Sequence, residues 1–189
     1  ANAFNENARR AVIEVLEDEP TLKHLAWFAA LVLAPYSGLE TGGRRWGETG
    51  EGGTQGGPES APFFCVAIQP AVRRLDARCK AAGGMARFGM DDGYAVGPIH
   101  VVVDAVRRFA EEVREQCLLQ LEWTKTEIFS WEGVLPAGCP EEISLAGKEI
   151  DGVFQPGFLC YGVPVGTREY ATSQLWGRAR TIVKDARRP

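Results

Sequence analysis

Two adjacent carboxylates, Asp91 and Asp92, are the residues of this chain whose types and spacing are best suited to chemistry. An Asp-Gly step between strand-like segments is typical of a tight β-hairpin turn, in which Gly93 would take a positive φ. Two carboxylates at one rigid point resist ionising together unless a cation lies between them, and Mg²⁺ prefers such oxygen ligands. The pair therefore predicts either a divalent-cation site at a hairpin tip or, since Asp and Gly dominate turns, a solvated surface turn.

Two helices are predicted to flank this hairpin. Before it, apolar residues recur at helical spacing from Phe64 to Cys79, and Gly83 ends the pattern. After it, Pro98 begins a second helix that runs to Cys117. The first helix also carries a basic cluster, interpreted as a solvated face in preference to a nucleic-acid contact, made of Arg73, Arg74, Arg78 and Lys80.

Strand-like segments dominate the chain after the second helix. Alternation between residues 121 and 131 predicts a strand that carries Lys125. Short strands are predicted around residues 143–150 and 158–165, and a basic amphipathic helix over residues 168–189. Helices interleaved with hairpin-connected strands favour an α+β fold, in which helices pack on one face of an antiparallel sheet.

Composition limits the function classes. The 189 residues are 45% hydrophobic and 24% charged, which is typical of one globular domain. Five cysteines without a Cys-x-x-Cys pair, and only two histidines, argue against a zinc site and a disulfide framework. The longest apolar stretch, residues 25–35, is too short to span a bilayer, and no signal peptide is recognisable. An intracellular protein, nuclear or cytoplasmic and without a membrane partner, is expected.

Charge and glycine are distributed unevenly. The formal net charge is −4, but residues 168–189 carry six basic and two acidic side chains, so this tail is positive and the rest strongly negative. Residues 38–57 contain nine glycines, which excludes a helix and limits any strands to short ones. No Gly-Lys-Ser/Thr follows these glycines, so a P-loop is not indicated.

Five segments of the chain, taken in order, resemble motifs of reverse transcriptases, most closely those of non-LTR retrotransposons and related retroelements. They are residues 2–5 (Asn-Ala-Phe-Asn), 53–64 (containing Gln-Gly), 88–92 (Phe-Gly-Met-Asp-Asp), 123–127 (Trp-Thr-Lys-Thr-Glu) and 161–166 (Tyr-Gly-Val-Pro-Val-Gly). They are similar, respectively, to the end of the first catalytic motif, the Gln-Gly-Asp-Pro signature, the aromatic-x-Asp-Asp motif, the lysine-bearing strand and the run before the thumb. The resemblance covers nearly the whole chain.

This resemblance implies an RNA-directed DNA polymerase with a palm-type antiparallel sheet and helices on one face. The palm would occupy residues 1–167, with an incomplete fingers segment at 35–57 and the thumb missing. Residues 168–189 would be a basic helix at the start of the thumb or connection. The implied partners are an RNA or DNA template with its primer.

The implied chemistry is two-metal phosphoryl transfer to a primer 3′-hydroxyl, with Mg²⁺, or Mn²⁺ in its place, as cofactor and deoxynucleoside triphosphates as substrates. By resemblance, Asp91 is a direct metal ligand and Asp92 its metal-binding neighbour near the primer end. Lys125 would donate a proton or positive charge to the departing pyrophosphate.

The resemblance also implies a nucleotide pocket. Phe4 would lie beneath the incoming sugar, where its bulk would exclude a 2′-hydroxyl. Gln55 and Gly56 would line the pocket, since glycine permits close backbone approach. Without the family, Phe4 is equally well an ordinary core aromatic and Gln55 a surface residue.

The chain departs from the family pattern at three places. The partner aspartate of the first motif would fall just before Ala1, Gly57 replaces the usual acid, and Gly89 stands where an aromatic is usual. We therefore expect this polypeptide alone to polymerise poorly or not at all. Two alternatives stay open: a degenerate retroelement-derived domain that binds nucleic acid or protein without catalysis, and an unrelated metal-dependent hydrolase.

Overall fold

A computed structural model describes residues 8–33, 37–41, 44–49, 58–137 and 139–186, with only the backbone described for 37–41 and 44–49. The described residues form two compact units that divide between Leu121 and Glu122. Helices and small sheets occur in both, so the predicted α+β class is confirmed in this general form. The predicted functional extents, 1–167 and 168–189, stay predictions.

Among its described residues, the first unit contains three longer helices, one short helix and two hairpins. In chain order these are α1 (Arg9–Asp18), α2 (Ala26–Val32), β1 (Ser37–Thr41), β2 (Arg44–Thr49), α3 (Ser60–Ala81), β3 (Met85–Gly89), β4 (Asp92–Val96) and α4 (Ile99–Cys117). A single 3-10 turn, Lys23–Leu25, leads into α2. The glycine-rich segment forms the short antiparallel strands β1 and β2, with an irregularity between Leu39 and Glu40.

The core of the first unit lies between α1, α3, α4 and the β3–β4 hairpin. The predicted apolar stripe of α3 faces this core, with Phe64, Ile68, Leu75 and Cys79 buried. The N–H of Ala8 donates to the carbonyl of Cys117 at 2.9 Å, which ties the start of α1 to the end of α4. Spacing alone therefore predicted which face of α3 is buried.

Gly83 ends α3, as predicted. Its φ of +76° is in the left-handed region that glycine adopts without strain, and its N–H donates to the Lys80 carbonyl. The N–H of Gly84 then reaches back to the Cys79 carbonyl at 2.9 Å, which completes the helix C-cap. Since β3 begins at Met85, the hairpin follows the helix end almost at once.

The second unit begins with a 3-10 turn at Trp123–Lys125 and continues as strands. These are β5 (Glu127–Ile128), β6 (Ser144–Leu145), β7 (Gly147–Ile150), β8 (Val153–Cys160) and β9 (Val163–Gly166), followed by the helix α5 (Arg168–Ala186). Strands β7, β8 and β9 form an antiparallel meander, whereas β5 and β6 are a short parallel pair. Instead of one continuous sheet, the described residues thus form four small sheets.

Helix α5 contacts all three strands of the meander. Tyr170 is buried, and its ring lies directly over Gly157 of β8. The ammonium of Lys148 donates to the Ser173 hydroxyl at 2.7 Å and lies 5.6 Å from the centre of the Tyr170 ring. Beyond this anchor α5 is exposed, including the apolar residues Leu175, Trp176, Ile182 and Val183.

Candidate functional site

The predicted hairpin is present and carries both carboxylates at its tip. Strands β3 and β4 pair from Met85 with Val96 to Gly89 with Asp92, so the loop consists of Met90 and Asp91 alone. Asp91 therefore lies in the turn, and Asp92 is the first residue of β4. Both residues are exposed.

The turn itself differs from the prediction. The positive φ belongs to Met90, at +61°, and not to Gly93, which lies inside β4 opposite Phe88. A Cβ at Gly93 would lie 2.5 Å from two carbon atoms of the Phe88 ring. The glycine is thus required for close approach of the ring and not for turn geometry, a distinction that depends on the partner strand.

The Phe88 ring links the hairpin to the helices. Its centre lies 5.1 Å from that of Phe109 on α4, with the planes tilted by 48°. Ala86, on the same face of β3, is only 1% exposed. The face of the hairpin that carries Ala86 and Phe88 therefore packs on the helices. Because side chains alternate along a strand, Asp92 lies on the opposite face.

Replacing Gly93 by Ala is expected to destabilise the first unit by about 1–3 kcal/mol, the usual cost of an added methyl group in a packed site. The new Cβ would displace the Phe88 ring, which packs against Phe109. Urea denaturation measures the change. The matched control is Gly177→Ala on α5, where a Cβ meets nothing within 4 Å and helix propensity favours alanine. Equal stability of G93A and the parent chain would contradict the expectation.

Asp76 on α3 is a site residue that the sequence patterns did not single out. Its Oδ1 accepts hydrogen bonds from the backbone N–H of Ala86 and from Nη1 of Arg87, both at 2.9 Å. Its Oδ2 pairs with the ammonium of Lys80 at 2.7 Å. The i, i+4 spacing of Asp76 and Lys80 is visible in the sequence, but the contact with β3 is not.

These contacts favour the ionised form of Asp76. The backbone hydrogen bond from Ala86, then the hydrogen bond from Lys80, lower the pKa of Asp76 to about 2 against partial burial, and the charge of Arg87 adds to the effect. The carboxylate is therefore charged throughout the neutral and mildly acidic range. Hydrogen bonds accepted by an ionised carboxylate are stronger than those between neutral groups, so the bonds from Ala86 and Arg87 to Asp76 are strong ones.

The pH dependence of this contact has a definite sign. Since the folded-state pKa of Asp76 lies below its ordinary value of 3.8, its stabilisation is complete above that value and is lost as the pH falls towards about 2. We expect the amide shift of Ala86, followed by NMR, to titrate with a midpoint near 2. The same amide should not titrate in this way in Asp76→Asn. A midpoint near 3.8 in the parent chain would contradict the expectation.

The basic cluster on α3 is occupied by ion pairs. Arg73 pairs with Glu19, Lys80 with Asp76, and both Arg74 and Arg78 pair with Glu112 on α4. Burial opposes ionisation of Glu112, but hydrogen bonds from Arg78 and Arg74 outweigh it, and the pKa of Glu112 is lowered. Three of the four cations thus link α3 to Glu19 at the end of α1 or to Glu112 on α4, contacts that the interpretation as a solvated face did not include.

Lys125 lies in a different type of element from the one predicted. It ends the 3-10 turn Trp123–Lys125 and is exposed, whereas a strand was expected. The hydroxyl of Thr126 donates to the Glu122 carbonyl, and the hydroxyl of Thr124 donates to the Glu122 side chain. Local bonds of this kind compete with a strand ladder, which explains why the alternation was misleading.

The other predicted site residues are not tested. Phe4, Gln55 and Gly56 lie outside the described residues. Among those that are described, the structure brings together Asp91 and Asp92, while Lys125 belongs to the second unit. No group of three or more His, Cys, Asp or Glu side chains suited to a metal ion occurs in the described part of the chain.

Comparisons with known proteins do not identify the chain: no family model, curated protein or solved structure matches it. The resemblance to reverse transcriptases therefore depends on the five sequence segments. Within the described ranges, no helix has the length and apolarity needed to cross a membrane. The function is accordingly a proposal, argued from the hairpin and its surroundings.

Proposed function

We propose that this chain is the palm region of a reverse-transcriptase-type nucleotidyltransferase, which adds deoxynucleotides to a primer 3′-hydroxyl on an RNA or DNA template. One observation carries the proposal. Asp91 and Asp92 are exposed at the two-residue loop of the hairpin, and their side chains have no hydrogen-bond or ion-pair partner among the described residues. Exposed carboxylates that make no contact within the protein are available as oxygen ligands for a divalent cation.

The surroundings of the hairpin support the same proposal. Helix α3 begins within the segment that resembles the Gln-Gly-Asp-Pro signature, the hairpin carries the segment that resembles the aromatic-x-Asp-Asp motif, and both α3 and α4 contact β4. One face of the hairpin is covered by the helices and Asp92 lies on the other, which in this proposal is the face that binds template and primer. A solvated surface turn would explain the exposure of the two carboxylates, but not the contacts that hold the hairpin to α3 and α4.

In this proposal the two carboxylates hold a magnesium ion. Mg²⁺ is commonly held by one or two carboxylates together with substrate phosphates and water, so the absence of a third acidic ligand among the described residues does not exclude it. In this proposal Asp91 is the direct ligand and Asp92 its neighbour. When bound, the ion would activate the primer hydroxyl and stabilise the leaving pyrophosphate.

Other residues of the chain take the roles implied by the resemblance. Lys125 would offer positive charge to the pyrophosphate, and its exposure leaves the ammonium accessible. Phe4, Gln55 and Gly56 would form the nucleotide pocket. These assignments stay proposals, as do the nuclear or cytoplasmic setting and the absence of a membrane partner.

A primer-extension assay tests the proposal. The chain, extended upstream in its own reading frame, is incubated with an RNA template, a labelled primer and Mg²⁺ or Mn²⁺, and each deoxynucleotide is supplied separately. We expect incorporation of only the nucleotide complementary to the template. Phosphoester cleavage without a template would instead favour a metal-dependent hydrolase and would overturn the proposal.

A second candidate, nucleic-acid binding without catalysis, is favoured by one observation on α5. Arg178, Arg180 and Lys184 are exposed and have no ion-pair partner within the described ranges, unlike the paired cations of α3. Such unpaired cations suit a phosphate backbone. Salt-sensitive binding of template and primer, with no incorporation under any metal condition, would select this candidate.

A further inference from the structure

We propose that Asp76 is a positioning residue: by binding the backbone of β3, it sets where the hairpin tip with Asp91 and Asp92 stands relative to α3. The inference rests on the proposed function for its catalytic consequence, but not for its structural content. Asp76 is not among the residues to which the family resemblance assigns a role.

The first step concerns the outer edge of β3. Backbone groups of an antiparallel pair point alternately towards and away from the partner strand. Because the N–H of Ala86 donates to Asp76 at 2.9 Å, it points away from β4, towards the edge that faces α3. Asp76 thus satisfies a strand-edge donor that a hairpin cannot satisfy by itself.

The second step concerns the rigidity of the hydrogen bond between Ala86 and Asp76, which we call the tie. Both oxygens of Asp76 are engaged, Oδ1 by Ala86 and Arg87 and Oδ2 by Lys80. The guanidinium of Arg87 also donates to the Ala86 carbonyl at 2.6 Å, so the Arg87 side chain bridges the Asp76 carboxylate and the backbone of β3. The Asp76 side chain is only 18% exposed, which limits competition from water.

The third step concerns the distance from the tie to the tip. Gly89 lies three residues beyond Ala86 and pairs with Asp92, so the tip is about 10 Å from the tie at the usual rise of a strand. At that distance a rotation of about 6° displaces the carboxylates by about 1 Å. Metal and catalytic sites tolerate only about 0.5 Å of displacement. Loss of the tie should therefore weaken cation binding without unfolding the chain.

The Phe88–Phe109 contact is a separate attachment, on the face of the hairpin that packs on the helices and not at the edge of β3. This contact resists separation of the hairpin from the helices. An apolar contact at a single ring, however, restricts rotation of the hairpin less than a hydrogen bond to its backbone does. The two attachments together define an orientation. This division of roles predicts that the loss of Asp76 affects geometry more than stability.

The test uses the full 189-residue chain and Mn²⁺ alone as the probe, with binding followed by calorimetry and by paramagnetic broadening of the tip amides. Asp76→Ala is expected to lower Mn²⁺ affinity roughly tenfold, the lower end of the range for residues that orient metal ligands. Asp76→Asn keeps an acceptor for the Ala86 N–H and should stay closer to the parent chain than Asp76→Ala does.

Asp104→Ala is the matched control, since Asp104 forms an exposed i, i+4 pair with Arg108 at 3.0 Å on α4. Its Mn²⁺ affinity should equal that of the parent chain. Equal losses in D76A and D104A, equal losses in D76A and D76N, or an unchanged affinity in D76A would each overturn the inference. If D76A does not fold, Asp76→Ser, whose hydroxyl is too short to keep the tie, replaces it.

Failure of the proposed function is distinguishable from failure of this inference. If the parent chain binds no Mn²⁺ at the hairpin, the function fails, and the NMR order parameters of the Met90 and Asp91 amides then decide the role of Asp76. Lower order parameters in D76A than in D104A would support the positioning role. Unchanged order parameters would overturn it.

Discussion

Replacing Asp91 by Asn is expected to lower Mn²⁺ affinity at the hairpin, and nucleotide incorporation by the upstream-extended chain, by at least about a hundredfold. Residues that merely orient the ligands of a metal site are worth roughly 10- to 100-fold, so the loss of a direct ligand should reach or exceed the upper value. Asparagine keeps the size of the side chain, removes its charge and replaces one ligand oxygen by an amide nitrogen. Calorimetry with Mn²⁺ and single-nucleotide incorporation measure the two losses.

The thermal stability of D91N should not fall with its activity. Asp91 is exposed and has no described partner, so the folded state loses no contact when its charge is removed. The matched control is Asp151→Asn, which changes an exposed aspartate in the turn between β7 and β8, where a φ of +51° suits asparagine equally well. D151N should behave as the parent chain. Unchanged metal binding and incorporation in D91N would refute the proposed role of the hairpin.

Replacing Leu75 by Ala is expected to lower the free energy of unfolding by about 2–5 kcal/mol. Leu75 is 1% exposed and lies in the core on the apolar stripe of α3, so its truncation removes buried methyl groups and leaves a cavity. Small domains are commonly stable by only about 5–15 kcal/mol, so this is a large fraction of the total. Urea denaturation followed by circular dichroism measures the change.

Leu31 on α2 provides the control for this core substitution. It is 67% exposed, and Leu31→Ala should change stability by no more than about 0.5 kcal/mol. A loss below about 1 kcal/mol in L75A, or equal losses in the two variants, would show that α3 is not packed as described. Since Asp76 follows Leu75 in the chain, L75A also tests whether the hydrogen bond between Asp76 and Ala86 depends on the packing of α3.

Elements defined by local patterns could be predicted from the sequence. The helical spacing from Phe64 to Cys79 and the stop at Gly83 correspond to α3, and Pro98 directly precedes α4, as expected. The Asp-Gly step located a hairpin at the right place. These features depend on propensities and periodicities within a few residues, which a sequence displays directly.

Two errors arose where neighbouring groups competed with the local pattern. Gly93 was assigned to the turn, but the Phe88 ring on the paired strand requires a glycine at that position, and Met90 takes the positive φ instead. Lys125 was assigned to a strand, but hydroxyl hydrogen bonds to Glu122 favour a 3-10 turn. The deciding contact for Gly93 is with a side chain on the paired strand. The deciding contacts for Lys125 are hydrogen bonds from threonine hydroxyls to Glu122.

The sequence by itself determined that Asp91 and Asp92 stand together at a hairpin between two amphipathic helices, because each of these features is local. Only the tertiary structure decided which face of the hairpin is covered and that Asp76 holds its edge. The physical reason is that a hydrogen bond such as that from Ala86 to Asp76 depends on the placement of a helix beside a strand. That placement results from the packing of the whole core, which no single segment of the sequence encodes.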